Sequence, residues 1–389
     1  LTVAAFLLRA LWSWLKRRAR DPGAAAPLVA RSRFHAADTA VFLFTVVATL
    51  SLLFTARLDV ATNEWRTVIF VPALFYLAFR GIQPRQKEMW VILDAWVLGA
   101  VLVALIGLGQ YATGSNLITA EGGLLRLRSI YGSPNNVALY LNRILPLLAS
   151  MILLGQGQGR RRWLYGAAIL PLGLALLLTF SKGGLLLGVP AGLLVVFWIW
   201  QKHNDRSPWP WTIAFIALGA AALFVASQVP ALAQRLDLFG TTGVFRLNLW
   251  RASLEMIREH PLWGVGLDNF LYAYRGRYIL AGAWQEPDLN HPHNLFLDFA
   301  TRLGLFGVIA GGWLIWVLLC TLRRVLATVS ERWLPVAAGL SGAMAAMLMH
   351  VLVDHSFFLV DLAFGFYMMI GTAVWLDNLP IGPKIPEQS

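Results

Sequence analysis

A single cysteine, Cys320, stands among 389 residues. That excludes an intramolecular disulfide and any cysteine-based metal cluster. Charge is also scarce: Asp, Glu, Lys and Arg make up 13% of the chain, about half the share of a soluble domain. Acidic side chains are the scarcest, 20 against 32 basic ones. No Asp-x-Asp pair occurs, so metal-dependent nucleotide-sugar chemistry finds no support. No internal repeat is evident, and no cleavable signal peptide is visible. The only low-complexity tract, Gly155-Gln156-Gly157-Gln158-Gly159, reads as a turn.

What the chain has in quantity is apolar surface. Hydrophobic residues reach 58% and the mean hydropathy is +0.63. The expected fold is an all-α polytopic membrane protein of about 10–12 transmembrane helices, with one long, partly helical extracytoplasmic loop. Apolar stretches fall at about 38–56, 66–81, 90–110, 136–155, 163–180, 183–201, 211–228, 294–322, 333–352 and 356–376. Leu1 to Leu15 read as the tail of a further span, so an incomplete N-terminus is expected. Three regions follow: helices over 1–228, a loop with amphipathic helices over 229–293, and helices with a short tail over 294–389.

Alternate loops carry the basic residues. One set holds Lys16, Arg17, Arg18, Arg20, Arg31 and Arg33, then Arg80, Arg85 and Lys87, Arg160 to Arg162, Lys202, Arg206, Arg323, Arg324, Arg332 and Lys384. These are 18 of the 32 Lys and Arg, and by the positive-inside rule their loops are cytoplasmic. The net charge of +12 therefore reports topology, and no nucleic-acid partner is expected. Seventeen tryptophans suit many interface crossings.

Four polar constellations fall on the opposite, outward face. Arg126 and Arg128 precede Gly132-Ser133-Pro134-Asn135-Asn136, a turn that opens a helix with Ser133 as N-cap and Pro134 in its first turn. The arginines either snorkel at the interface or contact phosphate. Lys182 lies in Thr179-Phe180-Ser181-Lys182-Gly183-Gly184, a tight turn between two spans. An ammonium there, near a new helix N-terminus, favours an anion; the plainer alternative is a solubilising charge. Leu247, Trp250, Leu254 and Ile257 recur at helical spacing after Arg246, which predicts an amphipathic helix on the membrane or on the bundle. Arg251 and Arg258 belong to its solvated face, beside Glu255.

The fourth constellation is the run from His291 to Gly307. Pro292 is expected to initiate a helix at its first position, with His293 and Asn294 at its start, Asp298 and Arg302 as an i,i+4 pair, and Gly304 and Gly307 as packing glycines. His293, next to lipid yet reachable from water, is the candidate base. His291 and His293 are two apart without a recognisable ligand spacing around them, so no metal is expected. Asp354, in His350-Val351-Leu352-Val353-Asp354-His355, is expected either to orient a histidine or pair with an arginine, or to cap the last span with Ser356.

His293-Asn294, nine residues, Gly304, two residues and Gly307 together resemble the His-Asn-x9-Gly-x-x-Gly signature of the O-antigen ligase and polymerase superfamily. Arg128 with Gly132 to Asn136, Thr179 to Gly183, and Arg246 to Trp250 followed by Pro261-Leu262-Trp263-Gly264-Val265-Gly266 resemble further motifs of that superfamily, in order. The likeness spans about residues 120–310. Lys182 stands where many members have arginine. The resemblance implies a GT-C glycosyltransferase in the cytoplasmic (inner) membrane, with its site on the extracytoplasmic face. It implies a polyprenyl (undecaprenyl) diphosphate-linked glycan as donor, a lipid, glycan or protein as acceptor, no cofactor, and an inverting, metal-independent reaction. Arg246, Lys182 and Arg128 with Arg126 would hold the diphosphate. His293 would act on the acceptor hydroxyl, with Asn294 and Asp354 in support. Ligation, polymerisation with a second lipid-linked unit as acceptor, and transport of a lipid-linked sugar stay open. Transport is the least supported, because transporters place ionisable groups near the midplane of repeated halves.

Overall fold

The computed structural model describes residues 34–119, 123–228, 241–354 and 357–380. The partial first span, the basic cluster at 16–33, the stretch 229–240, His355, Ser356 and Lys384 lie outside the described residues.

The protein is helical and multi-pass. Its elements in chain order are α1 (Ala36–Phe54), α2 (Leu58–Ile82), α3 (Gln86–Ala112), the strands β1 (Leu117–Thr119) and β2 (Leu125–Leu127), α4 (Pro134–Leu154), α5 (Arg160–Leu178) and α6 (Gly183–His203). These are followed by α7 (Trp209–Ser227), α8 (Thr241–Glu259), the short α9 (Phe270–Ala273), α10 (Leu295–Thr328), α11 (Leu334–His350) and α12 (Val360–Asp377). Among the described residues, eight helices are long and apolar enough to cross a membrane, and α7 and α11 supply two shorter apolar segments. Each of the ten spans read from the sequence corresponds to one of these. The largest boundary shift is at α2, which starts at Leu58 and passes through a π-helical turn at Trp65–Phe70.

Local chemistry starts the helices where the turn residues suggest. The Ser133 hydroxyl caps α4 by accepting from Asn135 N at 3.2 Å, with Pro134 following. Inside the bundle, α4 is the most enclosed span, 78% buried, packed against α5, α6 and α11. Close approach there is steric: a Cβ on Gly192 would come within 2.8 Å of the Gly342 carbonyl oxygen, so only glycine lets α6 and α11 meet this tightly.

Two sets of loops gather at opposite ends. At one end Gln158 donates to the Arg332 carbonyl (2.7 Å), His203 meets Glu331 (3.4 Å), Trp375 donates to the Pro84 carbonyl (2.7 Å) and Arg324 pairs with Asp377 (3.1 Å). This is the end with the basic loops, so the charge pattern sorts the connections correctly. At the other end Asn269 Oδ1 accepts from Arg57 N (2.8 Å), and the β1–β2 hairpin folds over the end of α3 with Ser129 donating to the Val103 carbonyl (2.7 Å). The described part of the long loop has a small core of its own: Leu249, Ala252, Met256, Val265, Phe270, Tyr274 and Tyr278.

That core gives α8 a second apolar face. Phe245, Leu249, Ala252 and Met256 are buried, whereas Leu247 and Leu254 are 47% and 57% exposed. The sequence carries two apolar stripes at helical spacing, and periodicity alone does not choose between them. Tyr274 and Phe270, from outside the helix, select the first.

Candidate active site

The sequence-predicted residues lie at the end with the long loop, and two of them, His293 and Asp354, meet there. His293 is not inside a helix, and Pro292 does not start one. Asn294 is the N-cap of α10: its Oδ1 accepts from Phe296 N (3.0 Å) and Leu297 N (3.2 Å) while its Nδ2 donates to the Leu352 carbonyl (3.0 Å). His293 precedes the cap with φ of 50°. This left-handed conformation is uncommon outside glycine and, for a non-glycine residue, costs about 1–3 kcal/mol. Its ring lies against Asp354, with Nδ1 and Oδ1 3.0 Å apart. Of the roles expected of Asp354, orienting a histidine is one that the geometry displays. Asp354 is buried and His293 is half-buried.

His291, set aside on spacing alone, is part of the same group. Its Nδ1 lies 2.5 Å from Asn290 Oδ1 and its Nε2 lies 3.2 Å from His293 Nδ1. With the Asn290 amide oxygen as acceptor, Nδ1 of a neutral His291 carries the proton and its Nε2 accepts. His293 Nδ1–H then faces two acceptors, Asp354 Oδ1 and His291 Nε2. That leaves the lone pair of His293 on Nε2. The chain turns at Pro292 within this run, which brings two rings at i,i+2 together with centroids 4.2 Å apart. A helix starting at Pro292, as the sequence predicts, would hold these two rings apart.

Two further contacts hold the run in place. Trp250 Nε1 donates to the Pro292 carbonyl (2.8 Å) from α8. Arg302 Nη2 donates to the Asn290 carbonyl (3.2 Å) from α10. Arg302 is itself buried, with Nη1 2.6 Å from both Glu64 oxygens and Nε 2.7 Å from Asp298 Oδ1. Its guanidinium also lies 4.8 Å from the Phe358 ring centroid. Asp298–Arg302 is thus the structural pair expected from spacing, but Glu64 was missed. The available signal was an acid directly before an apolar span, where ionisable groups are rare. Glu64 Oε2 also accepts from Asp268 N at 2.6 Å, tying the long loop to α2. Burial holds the Asp268 carboxyl above its ordinary range.

Gly304 does something other than pack helices. Its φ of 64° and ψ of −159° break α10, in a region essentially closed to other residues. The backbone of Pro261–Val265 docks into the break: Leu305 N donates to the Pro261 carbonyl (2.8 Å) and Val265 N to the Thr301 carbonyl (2.7 Å). A Cβ on Gly304 would come within 2.2 Å of the Leu262 carbonyl. Two of the sequence motifs, the Pro-Leu-Trp-Gly-Val-Gly run and the glycine after His-Asn, are therefore two halves of one joint. Gly307 lies against Leu303 of its own helix.

Lys182 sits at the start of α6, half-buried, directly before Gly183 and Gly184. Those glycines press on His350 and Val353: a Cβ on Gly183 would meet His350 Cδ2 at 2.4 Å and Val353 Cγ2 at 3.0 Å. The Lys182 turn thus rests on the segment that carries Asp354. Arg126 reaches the same turn, donating from Nε to the Thr179 carbonyl (2.7 Å) and from Nη2 to Asn135 Oδ1 (2.8 Å). Arg128, two residues along the strand, makes one hydrogen bond among the described residues, Nε to the Asn116 carbonyl at 3.3 Å. Arg246 lies one turn before Trp250 on α8, the residue bonded next to His293. It is half-buried, and no described residue offers it a hydrogen bond or a carboxylate. Tyr131 donates to Asp361 Oδ2 (2.6 Å) at the edge of this face; burial, together with that carboxylate, pushes the phenol up.

Fold and site define a polytopic helical membrane protein with a polar site of imidazoles, a carboxylate and cations built at one end of its bundle. Residues 166–311 match the family model described as O-antigen ligase. That match supports membership of the O-antigen ligase superfamily, whose members are enzymes of the ligase or polymerase type. The matched segment includes Lys182, Arg246, His293 and Gly304; Arg126, Arg128 and Asp354 lie outside it. No curated protein matches the chain.

Proposed function

We propose that the protein transfers a glycan from a polyprenyl diphosphate to an acceptor hydroxyl, as an O-antigen ligase-like glycosyltransferase working on the extracytoplasmic face of the cytoplasmic membrane. The observation that carries this reading is His293, oriented through Nδ1 by Asp354 (3.0 Å) inside the family-matched segment and beside a helix bearing a half-buried Arg246.

The chemistry is a single displacement. The acceptor oxygen attacks the anomeric carbon and its proton passes to His293 Nε2. The bond from that carbon to the diphosphate oxygen breaks, and polyprenyl diphosphate leaves with the electron pair. Attack from the side opposite the leaving group inverts the anomeric centre. Asp354 holds the ring and balances the imidazolium as it forms. Arg246, Lys182 and Arg128 neutralise the diphosphate where its charge grows. Arg246 offers a planar fork to two phosphate oxygens and Lys182 a point charge. Arg126, held by Thr179 and Asn135, steadies the Lys182 turn beside them. With three cations for two phosphates, the reaction has no need of a divalent ion.

The test is transfer of a labelled glycan from lipid diphosphate by membranes or purified protein, with chelator present. Wild type is expected to label an acceptor and His293→Ala to lose that activity. Undiminished transfer by His293→Ala would remove the base assignment, and loss of wild-type transfer on chelation would remove the metal-free mechanism. The acceptor that becomes labelled separates a ligase from a polymerase, in which it is a second lipid-linked repeat unit.

A further inference from the structure

His291 Nε2, His293 Nδ1 and Asp354 Oδ1 form a triangle with sides of 3.2, 3.0 and 3.9 Å. Among the described residues this is the one group of three or more histidine or acidic side chains placed to hold a metal ion. Ligands set tetrahedrally around Zn²⁺, at about 2.0–2.1 Å each, lie roughly 3.3–3.4 Å apart. The three sides scatter around that separation, and an ion raised about 0.6 Å from their plane would lie about 2.1 Å from all three atoms, at the length of a zinc–ligand bond and with the fourth position facing away from the triangle. The donor set, two imidazoles and a carboxylate, is one that zinc takes with its fourth position open. The site is also held from outside. Trp250 fixes Pro292 between the two histidines and Arg302 fixes Asn290 before them.

We propose that this triad is a zinc-binding site and that zinc there switches the transferase off. The second clause rests on the function proposed above. Zinc takes the lone pair of His293 Nδ1, and the proton that Nδ1 carried moves to Nε2. The ring then presents an N–H where the acceptor hydroxyl needs a lone pair. Asp354 is drawn from the imidazole to the metal. The same side chains thus serve two exclusive states: a metal-free base and a metal-held, blocked one.

The experiment uses the full chain, purified in detergent and stripped with chelator, with Co²⁺ as a spectroscopic probe and Zn²⁺ as competitor. Wild type is expected to develop the visible band of tetrahedral cobalt at one ion per chain, displaced by Zn²⁺. In His291→Gln and Asp354→Asn, removing a ligand should weaken binding at least as much as the roughly 10–100-fold that loss of an outer-shell partner costs. In the transfer assay Zn²⁺ should suppress the wild type and chelator should restore it. Half-suppression of His291→Gln, measured against its own metal-free rate, should need at least about tenfold more zinc, on the same reasoning. Absence of the stoichiometric band, or a band unchanged in both variants, overturns the site. A normal band with transfer indifferent to zinc overturns the switch. No transfer by metal-free wild type counts against the glycosyltransferase reading instead, and the cobalt titration still decides the site.

Discussion

Two arginines at the same end of the bundle live in opposite surroundings. Arg302 is buried and held by Glu64, Asp298 and the Asn290 carbonyl. Arg246 is half-buried on α8, and no described residue pairs with it. A buried arginine that has its acids is part of the fold. A half-buried one to which no described residue brings an acid has room for an anion. The difference lies in the partners that the chain brings to each, since the residue type is the same.

The contrast predicts two kinds of damage. Arg302→Met leaves Glu64 and Asp298 buried without their counterion, and breaking such a pair costs about 3–5 kcal/mol. Thermal unfolding in detergent should show a large drop, with activity falling alongside. His293→Ala should leave the melting temperature near that of wild type while transfer falls by roughly 10²–10⁴, the usual contribution of a positioned base. Arg246→Ala should likewise melt within about 0.5 kcal/mol of wild type, as substitutions away from packed networks do. Its transfer rate should nevertheless drop about 10²–10³, as when one charge-stabilising donor is removed; Arg246→Lys should recover part of that, lacking the fork. An Arg246→Ala variant that unfolds like Arg302→Met would erase the distinction. The smallest effect is expected from Trp250→Phe. Losing the donor to the Pro292 carbonyl costs about 0.5–1.5 kcal/mol, and transfer should fall by no more than roughly tenfold for that loss.

Much of this was legible in the sequence, for physical reasons. Ten spans show because burial in lipid demands long apolar runs, and the end with the basic loops shows because charge is sorted by topology. Lys182, Arg246 and His293 stand out as candidates because polar residues are costly near the membrane. What did not show depends on contacts far apart in the chain. Glu64 and Arg302 are separated by 238 positions, and no local pattern pairs them. Gly304 looked like a packing glycine until the backbone of Leu262 was found in its place. His291 looked idle because a spacing of two separates side chains on a helix; the turn at Pro292 brings its ring to His293 and Asp354. The buried stripe of α8 was ambiguous for a similar reason: the choice is made by Phe270 and Tyr274, beyond the helix.

The central claim is that Arg246, to which no described residue brings an acid, holds a diphosphate leaving group. It is tested most directly by one comparison of initial rates with chelator-treated protein and a labelled lipid-diphosphate glycan: wild type, Arg246→Ala, and Arg277→Ala as a control whose side chain is exposed and paired with Glu259 (2.8 Å). The account predicts transfer by wild type and Arg277→Ala at similar rates and a loss of about 10²-fold or more in Arg246→Ala. Equal rates in all three would contradict it.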